Sequence, residues 1–139
     1  MPVGRGGMRM TCESSRSVAH RVTRDVEPST LEDLLEHPPR ATVAFINRDQ
    51  AEVVPARAQC RAGTYRFGVL PELTTDLENR EVVVVIDDGQ YFFELRGISV
   101  RGLARRIYRA EPGDEEALAW YVIEPRRILA WNYDAMRDV

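Results

Sequence analysis

Glu94-Leu-Arg-Gly-Ile-Ser-Val-Arg-Gly-Leu-Ala104 is the stretch whose reading decides the fold. In an extended chain, side chains alternate between two faces. Ile98 and Val100 therefore share one face, whereas Leu103 and Ile107 fall on the other. The apolar phase slips near Gly97 and again near Gly102, within a segment, Tyr91–Arg109, too long to stay flat as one strand. Glycine-marked bulges with sharp bending account for both slips. Bent strands of this kind form the corners of a closed barrel.

Period-two patterning extends on both sides of this stretch. Ala41–Asn47 reads as a strand, and Asn47-Arg-Asp-Gln50 as its turn. Glu52–Arg61 is the next strand, and Pro55 marks an edge or a bulge in it. Ala62-Gly63 turns the chain into Thr64–Leu70, where Tyr65, Phe67 and Val69 face one way and Arg66 and Gly68 the other. Val82–Asp87 reads as a central strand buried on both faces, ending in the hairpin signal Asp87-Asp-Gly89. Tyr121–Asn132 closes the set, interrupted at Pro125.

Short helices flank the strands. Pro28–His37 carries a candidate capping box, Ser29 with Glu32, and an apolar face of Leu31, Leu34 and Leu35. Pro71–Arg80 is a short helix or loop, and Pro112-Gly-Asp-Glu-Glu116 begins a third helix with acids in its first turn. The expectation is an all-β fold: a six-stranded antiparallel split β-barrel with short peripheral helices, spanning residues 28–139. Residues 1–27, glycine-rich at the start and without apolar period, read as a flexible N-terminal extension.

Composition removes several chemistries. The chain has 139 residues, 44% of them hydrophobic, which suits one domain with a packed core. All 19 basic residues are arginine, so no lysine is present to act as a Schiff-base amine, a general base or a phosphate-loop cation. Net charge is −3, and the first 27 residues, with five arginines against three acids, leave −5 on the remainder. That balance argues against a nucleic-acid partner. His20 and His37 are the only histidines and Cys12 and Cys60 the only cysteines, with no metal-binding spacing among them. The cysteines read as two unpaired thiols in a reducing compartment. No apolar run reaches membrane-spanning length, and no signal-type apolar segment follows the N-terminal arginines. The expected location is cytoplasmic.

The order and spacing of these pieces resemble the pyridoxamine 5′-phosphate oxidase-like flavin-binding split barrels, over roughly residues 29–133. Val53-Val-Pro-Ala-Arg57 with Gly63-Thr-Tyr-Arg-Phe67 is similar to that family's second and third strands. Glu94–Ala104 is similar to its long fifth strand, and Pro125-Arg-Arg-Ile-Leu-Ala-Trp131 to its last. The resemblance implies a homodimer with FMN, or a deazaflavin, in the seam, and redox chemistry on a small molecule. No conspicuous protein nucleophile is required, because the cofactor carries the chemistry.

The cofactor-binding residues that the resemblance points to are Arg57, Arg66, Gly68, Thr74, Thr75 and Trp131. The arginines would meet a phosphate or ring carbonyl, Gly68 would admit the ring closely, and Trp131 would cap the ring edge or fill the dimer seam. The plainer alternative is arginines on a solvated strand face and a core or interface tryptophan. The chain departs from the family at Leu70-Pro-Glu-Leu-Thr-Thr-Asp-Leu77, where a cationic cluster is usual and two acids stand instead. Like charges near a phosphate weaken its binding. A cofactor-free or ligand-sensing split barrel that has lost the phosphate site is therefore the competing reading.

Overall fold

A computed structural model describes residues 20–22, 31–89 and 95–132. Its strands are β1 (His20–Val22), β2 (Ala41–Asn47), β3 (Gln50–Arg61), β4 (Thr64–Val69), β5 (Glu81–Asp88), β6 (Arg96–Ile107) and β7 (Ala119–Asn132). Strands β2–β7 close into one six-stranded antiparallel barrel, in the order β2-β3-β4-β7-β6-β5 and back to β2. β7 pairs with β4 over Ala119–Val122. Further along, at residues 128–130, the same edge takes β1 in parallel. His20–Val22 thus join the sheet; the rest of residues 1–27 lies outside the described residues.

Two of the turns follow directly from local chemistry. Arg48 and Asp49 both take positive φ (53° and 66°), as do Ala62 and Gly63 (53° and 79°). A two-residue hairpin whose twist matches the strands needs this pair of left-handed residues. Both turns fall where the sequence places them, and they set the register of β2, β3 and β4.

The inward set of β4 is also the expected one. Tyr65, Phe67 and Val69 of β4 are buried, as are Val43 and Phe45 of β2. Phe67 stacks on Tyr121 inside the barrel, with ring centroids 5.2 Å apart. The Tyr121 hydroxyl donates to Asp76 Oδ1 (3.2 Å) and accepts from the Leu77 amide (3.1 Å), which ties the loop after β4 to the core. Burial pushes the Tyr121 phenol up from its ordinary value, so it stays a donor. Helix α1 (Glu32–Glu36) sends Leu34 and Leu35, with Leu31 before it, into the same core.

Several expectations need correction. β5 is not buried on both faces: Val82, Val84 and Ile86 point inward, but Val83 and Val85 are half-exposed on the outside of the barrel. The register slip lies in β7, not in the glycine-bearing strand. Arg101 pairs with Arg127 but Gly102 pairs with Pro125, so Arg126 is the extra residue. Gly102 instead lets β7 come close, since a Cβ there would lie 2.0 Å from the Glu124 carbonyl oxygen. Gly97 shows no slip; it sits under the Trp131 ring.

No helix forms at Pro112–Glu116, because Asp114 folds back on Glu111 and pairs with an arginine described below. α1 is shorter than expected and has no side-chain cap; Ser29 lies outside the described residues. Cys60 is held in a disulfide rather than free, which overturns the reading of two unpaired thiols; its partner lies outside the described residues. Among the described residues no helix is long and apolar enough to cross a membrane.

Candidate functional site

Inside the barrel, between Ala58, Phe67, Val84 and Ile123, a cavity of about 10 Å³ offers roughly the least room that holds one water. The larger space lies outside. Register defines the outer face. Ala58 and Phe67 are paired and point inward, so their neighbours Arg57 and Gly68, also paired, point outward. Gly68 in turn pairs with Trp120 of β7, and Gln59 pairs with Arg66. The sequence pattern thus brings Arg57, Arg66 and Gly68 together on one outer face.

A groove of about 280 Å³ opens beside them. Its walls are apolar, with Pro55, Val69, Leu70, Leu73 and Leu118, and its polar side chains are Arg57 and Glu115. Arg57 Nε donates to Glu115 Oε1 at 2.7 Å, with both side chains more than half exposed.

The loop Glu111–Leu118 lies across this face as an acidic strap. Arg61 Nη1 reaches Glu111 at 2.6 Å. Arg66 Nη2 reaches Asp114 Oδ2 at 2.9 Å, and its Nη1 donates to Gln59 Oε1. The Arg66 guanidinium also lies over the Trp120 ring, 5.1 Å from its centroid, a cation–π contact. Arg66 and Asp114 side chains are 5% and 0% exposed, so this pair is closed to solvent. The hydrogen bond from Arg66 holds the Asp114 carboxyl below its ordinary range.

Trp120 anchors the strap from below. Its Nε1 donates to the Glu115 carbonyl at 3.1 Å. A Cβ on Gly68 would lie 2.9 Å from the Trp120 ring. Gly68 therefore admits a close neighbour, and that neighbour is the chain's own indole.

The other expected residues lie apart. Thr74 and Thr75 follow Leu73 just beyond the groove wall; Thr74 is half-buried and Thr75 exposed. Trp131 stands over Gly97, eleven residues along β7 from Trp120, roughly 35 Å at the rise of a strand. Asp76, expected to repel a phosphate, accepts from the Glu78 amide as well as from Tyr121. Sequence reasoning missed Trp120, Asp114, Glu115 and Leu118. The acids were visible as a cluster, Glu111 to Glu116, opposite in charge to the arginines of β3 and β4.

No protein-family model matches this chain, and no curated protein matches it. Solved structures do. An FAD-binding protein from Mycobacterium smegmatis superposes with a TM-score of 0.58 at 18% identity, over 74% of this chain and 93% of that one. A candidate pyridoxamine 5′-phosphate oxidase from Listeria innocua gives 0.56 at 15% identity, over 75% and 95%. An F420 reductase gives 0.51 at 18% identity, over 70% and 94%. At such identities the likeness is one of fold.

Proposed function

Starting from the pyridoxamine 5′-phosphate oxidase-like split barrel, the fold this chain has, we propose that the groove beside Arg57 seats the ring of a flavin-type cofactor, FMN or a deazaflavin. The protein would then be a flavin-dependent oxidoreductase acting on a small molecule. The observation that carries this reading is the groove itself: apolar walls on the outer face of β3 and β4, with one arginine at the rim. When bound, the ring supplies hydride transfer. The chain's own residues do the rest. Pro55, Leu70, Leu73 and Leu118 exclude water from the ring, and Arg57 offers guanidinium donors to a carbonyl or an anionic tail. Neighbouring structures include an FAD-binding protein and an F420 reductase, which supports the flavin class.

The groove is small for a cofactor. Sites for small molecules usually enclose about 300–1,000 Å³ and cover most of the ligand. We propose that a second copy of the chain completes it. Leu70 and Leu73 at the groove, Val53 on the same outer face of β3 and Ile46 on β2 are all exposed, and an apolar outer face of this kind suits an isologous partner. Light scattering is expected to give a dimer, and flavin titration to quench tryptophan fluorescence, since Trp120 packs against Gly68, which lines the groove.

A second reading rests on a specific observation. Arg66 is committed to Asp114 and Gln59, Arg57 is paired with Glu115, and the Leu70–Leu77 stretch carries no cation. A cofactor-free or ligand-sensing barrel would look the same. Absence of binding of FMN, riboflavin and a deazaflavin at about millimolar concentration, weaker than about −4 kcal/mol, decides for it.

A further inference from the structure

Three arginines on the outer face of β3 and β4 end on one loop, yet their pairs stand in different positions. Arg66–Asp114 is sealed, and Arg61–Glu111 lies away from the groove wall. Arg57–Glu115 is the pair that lines the groove, and among its lining residues these are the one cation and the one acid.

We infer that Glu115 is a specificity-determining residue: its carboxylate occupies Arg57 and fixes a negative charge at the rim. The groove accordingly takes a flavin-type ring with an uncharged tail in preference to the phosphorylated one. This rests on the reading of the groove as a flavin-type site, and it adds which tail that site accepts.

The argument turns on what Glu115 can and cannot do when an anion arrives. Its exposed ion pair is weak, so breaking it is easy. Leaving the site is not. The Trp120 indole holds the Glu115 carbonyl, the Leu118 amide bonds the same carbonyl at 3.2 Å, and the preceding residue, Asp114, is locked to Arg66. The strap therefore keeps the Glu115 backbone at the rim, and the carboxylate within a side chain's length of it, even after Arg57 has turned away. A phosphate, carrying about −1.5 to −2 at neutral pH, would meet Arg57 and that carboxylate together. The second charge cancels much of what the first provides. A hydroxyl-ended tail meets no such opposition, since it can donate to the carboxylate and accept from the guanidinium.

The test is calorimetric titration of the full-length protein with riboflavin and with FMN, comparing wild type, Glu115→Gln and Glu111→Gln. The wild type is expected to bind riboflavin more tightly than FMN, and added salt to narrow the gap by screening. Glu115→Gln should tighten FMN about ten-fold and move riboflavin by no more than about two-fold, as removal of one like charge beside the ligand predicts. Glu111→Gln makes the same change in net charge away from the groove and should leave both affinities alone. A melting curve confirms that each variant is folded. If the wild type prefers FMN, if Glu115→Gln shifts both ligands equally, or if Glu111→Gln does the same as Glu115→Gln, the inference is overturned while the flavin site stands. If neither ligand binds any of the three proteins, the inference falls, and if a deazaflavin also fails to bind, the flavin reading falls with it.

Discussion

Arg57 and Arg66 stand on the same outer face of adjacent strands and pair with acids one residue apart in one loop. They nevertheless do opposite work. Arg66 has carboxylate, amide and aromatic ring around it, and solvent is shut out. Arg57 has one hydrogen-bonded acid, a groove beside it and an exposed guanidinium. The difference is made by Trp120, whose indole fills the space over Gly68 and lies under the Arg66 guanidinium. Residue type and strand face do not separate a structural arginine from one available to a ligand. What separates them is how many partners have already claimed the guanidinium.

Breaking the sealed pair should have the largest effect. Asp114→Ala takes from the buried Arg66 its hydrogen-bonded carboxylate and leaves it only Glu111, 3.7 Å away and half-exposed; removing one member of a buried ion pair costs about 3–5 kcal/mol. A domain of this size should lose about ten degrees or more of melting temperature. The same pair predicts part of the acid response. The Asp114 carboxyl is held below its ordinary value of 3.8, chiefly by the Arg66 hydrogen bond. A depressed folded-state value contributes stability above the unfolded-state value, and that stability is lost as pH falls through the folded one. The stability gap between wild type and Asp114→Asn should thus be full at about pH 5 and shrink below about pH 4 in chemical denaturation. A gap independent of pH would show that the carboxylate charge contributes nothing.

Gly68→Ala tests the wall between the two arginines. The new Cβ would stand 2.9 Å from the Trp120 ring, closer than real Cβ contacts come. The indole, 4% exposed, must shift. Forced overpacking of this kind costs about 1–3 kcal/mol. Because the ring lies under Arg66 and its Nε1 holds Glu115, both pairs should loosen together. The expected signs are a lower melting temperature and a red-shifted tryptophan emission. A variant as stable as wild type with unchanged emission would mean that Trp120 does not define the wall.

The barrel was legible because its signals are local. Alternation placed Tyr65, Phe67 and Val69 inside, and left-handed dipeptides marked the hairpins. Glycine is a poor sign of the bulge, because Gly102 lies opposite the extra residue and not at it. The better sign was the odd spacing from Ile123 to Ile128, both buried, which an unbroken strand cannot put on one face. Arg57, Arg66 and Gly68 could be put on one outer face from strand period and turn position alone. Their fates could not. Glu115 and Asp114 lie 58 and 48 residues from their arginines, and no periodicity links such positions. Acids suit a helix's first turn and an arginine partner alike, so Glu111–Glu116 reads as a helix start from sequence alone.

The smallest expected effect is the one that sharpens the comparison most. Arg57→Ala removes an arginine that, by type and strand face, resembles Arg66. Its side chain is 64% exposed and its acid 51%. Exposed pairs contribute about 0.2–1 kcal/mol, since water screens the charges and ordering two long side chains costs entropy. Arg57→Ala should therefore lower the melting temperature by no more than a few degrees, several-fold less than Asp114→Ala. The double variant Arg57→Ala/Glu115→Ala should differ little from either single change, because neither group is left buried when its partner goes. At Arg66 and Asp114 the same cycle should give a large coupling. If the Arg57 cycle matched the Arg66 cycle, Arg57 would be a second structural clamp, and no cation would remain at the groove for a ligand.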